Sequence, residues 1–324
     1  MDRNNDEKYM KRALRLALNG EGRVSPNPMV GAVIVHQGRI IGEGFHAFYG
    51  GPHAEMNAIN SVKEEDKKFL KDSTIYVTLE PCAHHGKTPP CANLIVNTGL
   101  PKVVIGSLDP NPLVAGKGVG ILEDAGIDVK SGVLENECVD LNRKFMKAQV
   151  SPYPYVILKW ARSSDGFMAG LDSEGQPVGV AVSSPLSKVW MHRERAGVDA
   201  IMIGKNTQRI DRPALTTRYW GGNSPKKIVA DSRESLEDRL RALRKEGVTS
   251  LMVEGGPTLL ESFISAGLYD EIRVETSSLV LGEGLPAPAL PQDLRLVEGR
   301  KCRENLIETY RRRECRGNFE DVDP

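Results

Sequence analysis

The tetrapeptide Ser151-Pro152-Tyr153-Pro154 falls near the middle of the 324-residue chain and constrains its fold more than any other segment. Each proline lacks an amide donor and fixes φ near −65°, so neither a helix nor a central strand can run through it. Chain length already favours two domains at roughly 100–200 residues each. The proline break sets them at residues 1–150 and 151–324.

Short apolar strands alternate with amphipathic helical stretches on both sides of the break. Met10, Ala13, Leu14, Ala17 and Leu18 recur at helical spacing before Gly20, which predicts an opening helix. Strands at 30–35 and 39–45 flank His36-Gln37-Gly38, a hairpin signal. Helices are expected at 53–59, 91–97, near 119–124 and along 135–149, and strands at 74–79, 102–108 and 127–133. The second half repeats the style, with strands at 155–161, 199–204, 226–231, 249–255 and 270–276 and helices at 184–196, 234–246 and 258–266. Both halves read as α/β. The charged tail from Arg311 to Pro324 reads as frayed.

Lys plus Arg and Asp plus Glu each number 43, so no net field draws the chain to nucleic acid or an anionic membrane. A small-molecule substrate is the expectation. The polar opening MDRNNDEKYM and the absence of an apolar run near ~18 residues predict a cytoplasmic protein with no membrane association. Five irregularly spaced cysteines suit metal ligation or burial better than a disulfide framework.

Two segments carry chemistry. GGPHAEMNAI puts His53 at a helix start with Glu55 two residues on, and TLEPCAHHGKTPPC puts Cys82 after a strand and Cys91 at a helix start. One histidine and two cysteines suit zinc, which in catalytic sites keeps three protein ligands and lowers the pKa of water in its fourth position to roughly 7. Thiolates near helix N-termini are favoured by the macrodipole and the unpaired amides. Glu55 then sits beside the metal, placed to take the water's proton and pass it to a departing amine. The pattern follows the zinc-deaminase signature H-x-E…P-C-x-x-C except that eight residues separate the cysteines. Any one of these residues alone also reads as ordinary core; the set together does not.

With SPNPMVGAVIV, HAEMNAI, TLEPCAHHGKTPPC and SLDPNPLVAGKG in view, the chain resembles the bifunctional riboflavin-biosynthesis deaminase/reductase family nearly end to end. The insertion His84-His85-Gly86-Lys87-Thr88 between the cysteines is its most specific mark. The resemblance implies a cytidine-deaminase-like three-layer α/β/α domain followed by a dihydrofolate-reductase-like α/β domain. It also implies zinc-dependent removal of the 2-amino group of a diaminopyrimidinone ribosyl phosphate, then NADPH-dependent reduction of the ribosyl group to ribityl. By the same resemblance Asn27, His46, Lys87 and Asn111 hold the first substrate. Lys159 and Glu254 would engage the ribosyl group of the second substrate, Arg195 and Arg218 its phosphate, with Leu215 also at that substrate, and Arg162, Thr207, Asp211 and Gly255, Gly256, Pro257, Thr258 and Leu259 would hold NADPH. A homo-oligomer, dimer or tetramer, is implied as well.

Apart from the resemblance, Gly255 and Gly256 ahead of a helix would let backbone approach a dinucleotide, although the fingerprint G-x-G-x-x-G is absent. Two departures from the family pattern stand out. Ala181 occupies a position where a tryptophan is usual, and only one helix and a strand start fit between Asp231 and Val253. The alternative reading is therefore a deaminase alone, with a C-terminal domain that serves oligomerisation or substrate binding. A nucleic-acid deaminase is disfavoured by the zero net charge and the long insertion.

Overall fold

The computed structural model describes residues 3–84 and 89–312. The chain divides into two compact units, Met1–Pro152 and Tyr153–Pro324. No helix among the described residues is long and apolar enough to cross a membrane.

The first unit runs α1 (Arg3–Ala17), β1 (Gly31–His36), β2 (Arg39–Phe45), α2 (Ala54–Asn60), β3 (Thr74–Leu79), α3 (Cys91–Thr98), β4 (Lys102–Ser107), α4 (Lys117–Asp124), β5 (Asp128–Lys130), α5 (Glu135–Leu141) and α6 (Arg143–Val150). Its sheet has the order β2-β1-β3-β4-β5. β1 pairs antiparallel with β2 and β3, whereas β3, β4 and β5 run parallel. Gln37 and Gly38, at φ 45° and 83°, turn the hairpin as a two-residue loop of the I′ kind. One face buries Ile34, Ile75, Val77, Val103 and Ile105 with Ala54, Ala58, Ile95 and Leu122 from α2, α3 and α4. The other buries Val33, Val35, Tyr76 and Val104 with Met10, Ala13 and Cys138 from α1 and α5. This is a three-layer α/β/α sandwich.

Register decides where function can gather in this unit. Gly31 lies opposite Phe45, Ala32 opposite Val77, and Leu79 opposite Ser107. The chain leading into β1 and the exits of β2, β3 and β4 therefore share one edge of the sheet. Asn27, His46, Cys82 and Asn111 each lie a few residues beyond that edge.

The second unit runs β6 (Tyr155–Arg162), β7 (Phe167–Leu171), β8 (Pro177–Val178), α7 (Pro185–Ala196), β9 (Ala200–Ile203), α8 (Lys205–Ile210), β10 (Lys226–Val229), α9 (Leu236–Lys245), β11 (Ser250–Val253), α10 (Pro257–Ser265), β12 (Glu271–Thr276), β13 (Leu285–Pro286), β14 (Leu294–Cys302) and β15 (Asn305–Arg312). A seven-stranded sheet has the order β10-β9-β11-β6-β12-β15-β14, parallel through β12 and antiparallel beyond it. A small sheet, β13-β7-β8, stands apart. Leu240, Leu243, Leu260 and Phe263 of α9 and α10 pack on one face and Met191 of α7 on the other. The segment between Asp231 and Val253 holds α9 and β11, as its length allows.

Three local expectations need correction. The helical stretch 135–149 is two helices, broken at Asn142. The Asn142 amide leaves the helical surface to accept from Met29 N and donate to Met29 O, both at 2.8 Å. The strand expected at 127–133 is confined to Asp128–Lys130, and Gly132 turns away at φ 82°. Arg311 and Arg312, expected to fray, lie in β15 opposite Glu271 and Leu294; residues 313–324 lie outside the described residues.

Candidate active sites

The first site is built by three elements meeting at the sheet edge. His53 is the N-cap of α2, and Glu55 is buried in the first turn of that helix. α2 reaches the site because β2 carries Gly42 and Gly44 beneath it. A Cβ on Gly44 would stand 2.3 Å from Ala58 N, so only glycine lets the helix lie this close. Cys82 follows the end of β3, and Cys91 opens α3, donating its backbone N–H to Cys82 Sγ at 3.3 Å.

His53 Nδ1 lies 3.4 Å from Cys91 Sγ and 3.6 Å from Cys82 Sγ, and the three ligand atoms lie within 4.8 Å of one another. Zn–S and Zn–N bonds of about 2.3 and 2.1 Å at a tetrahedral angle give an N···S edge of about 3.6 Å. The donor set and its spacing fit zinc. The protonation pattern agrees. The Cys82 thiol is held well down, first by the hydrogen bond from Cys91 and then by His53, while pairing with Cys82 and burial push Cys91 well up. Pairing with Cys82 raises His53. Three groups thus compete for protons over a span one divalent ion bridges, and such an ion replaces those protons. Burial is the main force that pushes the Glu55 carboxyl up to about 7, the range of a working acid–base group.

Asn27 and His46 meet beside this centre. His46 Nδ1 lies 3.0 Å from Pro52 O, which makes it the donor, so Nε2 accepts from Asn27 Nδ2 at 3.1 Å. Burial lowers the His46 pKa, opposed by the Pro52 carbonyl, and leaves a neutral ring whose centroid is 5.4 Å from that of His53. Asn111 occupies the loop after β4, where its Oδ1 accepts from Leu113 N at 3.0 Å. Lys87 lies outside the described residues. Sequence reasoning passed over Glu80, a buried carboxylate in the same TLEPC segment as Cys82. The polar residue one step before a Pro-Cys pair was the available signal.

The second site is a cavity of about 1140 Å³ at the carboxyl ends of β6, β11, β9 and β10. In parallel sheets ligands bind at such ends. Lys159, Glu254, Thr207, Asp211 and the run Gly255, Gly256, Pro257, Thr258 and Leu259 all line it. Register puts Glu254 beside Lys159, while Asp231 at the end of β10 lies three strand spacings, about 14 Å, further along the floor. That is a trough with room for an extended dinucleotide as well as a sugar phosphate, beyond the ~300–1,000 Å³ of a typical small-ligand pocket. Gly256 caps α10, and the Gly255–Leu259 run that opens the helix lines the cavity, where helix-start amides suit a phosphate. These features fit a nicotinamide dinucleotide. Ala181 lines the wall, so no aromatic ring stands at that point.

Four expected residues are placed differently. Arg195 grips Glu254 bidentately at 2.9 and 2.6 Å, and so reaches the cavity through its partner. Burial works against the Glu254 charge, but Arg195, with Lys159, holds the carboxyl below its ordinary value. Arg218 stacks its guanidinium 4.9 Å from the Tyr219 ring centroid, and Arg162 donates to Thr276 Oγ1 at 3.1 Å. Leu215 is core, packed with Tyr155, Ile157, Met191 and Ile201. Lys205, Asn206, Asp231 and Ser232 line the cavity although sequence reasoning did not single them out; the first two open the six-residue α8 and the others follow β10, stretches too short to show a period.

A deaminase-type metal centre on a three-layer sandwich, followed by a dinucleotide-sized trough on a mainly parallel sheet, defines a two-unit deaminase and reductase. Comparison with known proteins agrees. Residues 3–107 match the cytidine and deoxycytidylate deaminase zinc-binding region, and residues 154–313 match the RibD C-terminal domain. The riboflavin biosynthesis protein RibD of Aquifex aeolicus is 36% identical, over 88% of this chain and 90% of its own. That of Actinobacillus pleuropneumoniae is 43% identical, over 86% and 85%. The crystal structure of a diaminohydroxyphosphoribosylaminopyrimidine deaminase/5-amino-6-(5-phosphoribosylamino)uracil reductase from Thermotoga maritima superposes with a TM-score of 0.87 at 34% identity, covering 96% of this chain and 99% of that one. The chain belongs to the RibD family of bifunctional riboflavin-biosynthesis enzymes, which use zinc and NADPH. The similarity spans both units, which favours the two-activity reading over a deaminase alone.

Proposed function

We propose that the first unit deaminates 2,5-diamino-6-ribosylamino-4(3H)-pyrimidinone 5′-phosphate and that the second reduces the ribosyl group of the product to ribityl with NADPH. The observation that carries this is His53, Cys82 and Cys91 brought to ligand spacing beside the buried Glu55. A divalent ion held by those three supplies Lewis acidity that makes water nucleophilic near neutral pH. The protein's own groups do the rest. Glu55 takes one proton from the water that adds to the amine-bearing ring carbon and gives it to the adjacent ring nitrogen, then carries the remaining hydroxyl proton to the amine, which leaves as ammonia while the carbon becomes a carbonyl. Asn27, Asn111 and Lys87 orient the pyrimidine and its ribose phosphate, and His46, neutral, keeps Asn27 in place.

In the second unit NADPH supplies the hydride. Thr207, Asp211 and the Gly255–Leu259 run bind it, with Arg162 near the end of β6 in support. Lys159 donates hydrogen bonds to the ribosyl oxygens and Glu254 accepts from them, held in orientation by Arg195. Arg218 reads the phosphate, for which its planar fork is suited, and Leu215 shapes the wall beneath. The enzyme works in the cytoplasm, where thiols stay reduced, as a homo-oligomer. The test is purified protein given the diaminopyrimidinone substrate. Ammonia release with about one zinc per chain, followed by NADPH oxidation, is expected; absence of ammonia release from zinc-loaded protein would overturn the first half, and no NADPH binding at millimolar concentration the second.

A further inference from the structure

Glu80 is 7% exposed and is not a metal ligand, yet its carboxylate is saturated by backbone. Its Oε2 accepts from Asp109 N and Gly116 N, both at 3.1 Å, and its Oε1 accepts from Gly118 N at 2.9 Å and Val119 N at 3.4 Å. One oxygen thus ties together the two ends of the loop after β4, and the other ties down the first turn of α4. Contact is close on the other side as well, since a Cβ on Gly118 would come 2.0 Å from Pro81 O.

Inside that loop the order is relayed. Asp109 Oδ1 accepts from Asn111 N at 2.9 Å, and Asn111 Oδ1 accepts from Leu113 N, which leaves the Asn111 amide N–H groups without a partner among the described residues. Glu80 also lies two residues before Cys82. We infer that Glu80 is a positioning residue of the deaminase centre, which locks the 109–119 loop to the exit of β3 and so holds Asn111 in register with the metal-binding cysteine. The inference rests on Asn111 contacting the pyrimidine substrate.

An ionised carboxylate offers about four acceptor sites, whereas an amide of the same shape offers two and turns two donors toward donors. Glu80→Gln must therefore release either the loop ends or the start of α4. In the full-length zinc-loaded enzyme, Glu80→Gln is expected to raise the deaminase KM about tenfold with kcat within about twofold. Zinc content and NADPH oxidation should be unchanged, and amide hydrogen exchange across 109–119 should be faster. Asn111→Ala should raise KM similarly, and the double variant should add little. Gly118→Ala, which displaces the loop while keeping Glu80, is the second probe and should give the same KM rise. If Asn111→Ala raises KM while Glu80→Gln and Gly118→Ala do not, the positioning role is wrong. If Asn111→Ala itself leaves KM unchanged, the substrate contact is wrong, and with it the inference. Loss of zinc in Glu80→Gln would also overturn it, by placing the effect on Cys82 instead of the loop.

Discussion

At the scale of single residues, the carboxylates Glu55 and Glu254 face opposite fates. Glu55 is pushed up by burial, ready to exchange a proton, whereas Glu254 is fixed as an anion by Arg195. Cys82→Ser is expected to lose the zinc, read by elemental analysis, since a serine oxygen is a poor substitute for a thiolate. Glu55→Gln should keep the metal and lower deaminase turnover by roughly 10²–10⁴. Arg195→Gln leaves Glu254 buried without its main partner, at a cost on the order of 3 kcal/mol. The sign with pH follows from the pairing. In the wild type the Glu254 pKa is depressed, so its stabilisation is present above the unfolded value and fades as pH falls through the folded one. In the variant burial raises that pKa, so stability falls as pH rises. The difference should be larger at pH 8 than at pH 5. All three tryptophans, 160, 190 and 220, lie in the second unit, so denaturation followed by tryptophan fluorescence isolates it. The candidate metal ligands were legible because chemistry restricts such ligands to few residue types. Glu80 and Asn142 were not, because their partners are backbone groups up to 113 residues away that leave no mark in the sequence.

At the scale of elements, close approach decides more than propensity. Gly44→Val would force α2 off β2, because its Cβ would meet Ala58 N and Ala54 O, at 2.3 and 2.5 Å. The expected result is a loss of about 2 kcal/mol and more. Since His53 and Glu55 ride on α2, zinc should also escape faster to a chelator, which a competition assay measures. Elements with a clear apolar period, such as α1, β1, β3, β6 and β11, were readable. β14 was not: seven of its nine residues, 295–301, are exposed, so it has no buried alternation to betray it. Its place is set by pairing with β15. β7, β8 and β13 form a small separate sheet whose pairing joins residues 167–171 to residues 285 and 286, far apart in sequence.

At the scale of the whole molecule, two units with separate cores carry two chemistries, each at the edge of its own sheet. Glu55→Gln should therefore slow ammonia release as above and leave the NADPH dissociation constant within about twofold, as measured by titration of tryptophan fluorescence. A large change would mean that the two sites are coupled. Residue order alone set the number of units, the α/β class and the choice of His53, Cys82 and Cys91 as candidate metal ligands, because proline geometry, apolar period and ligand chemistry act locally along the chain. The folded arrangement was needed to settle which edge of each sheet gathers the site, that Arg195 grips Glu254, and that Leu215 belongs to the core. Those follow from strand register and packing, which depend on contacts between distant segments.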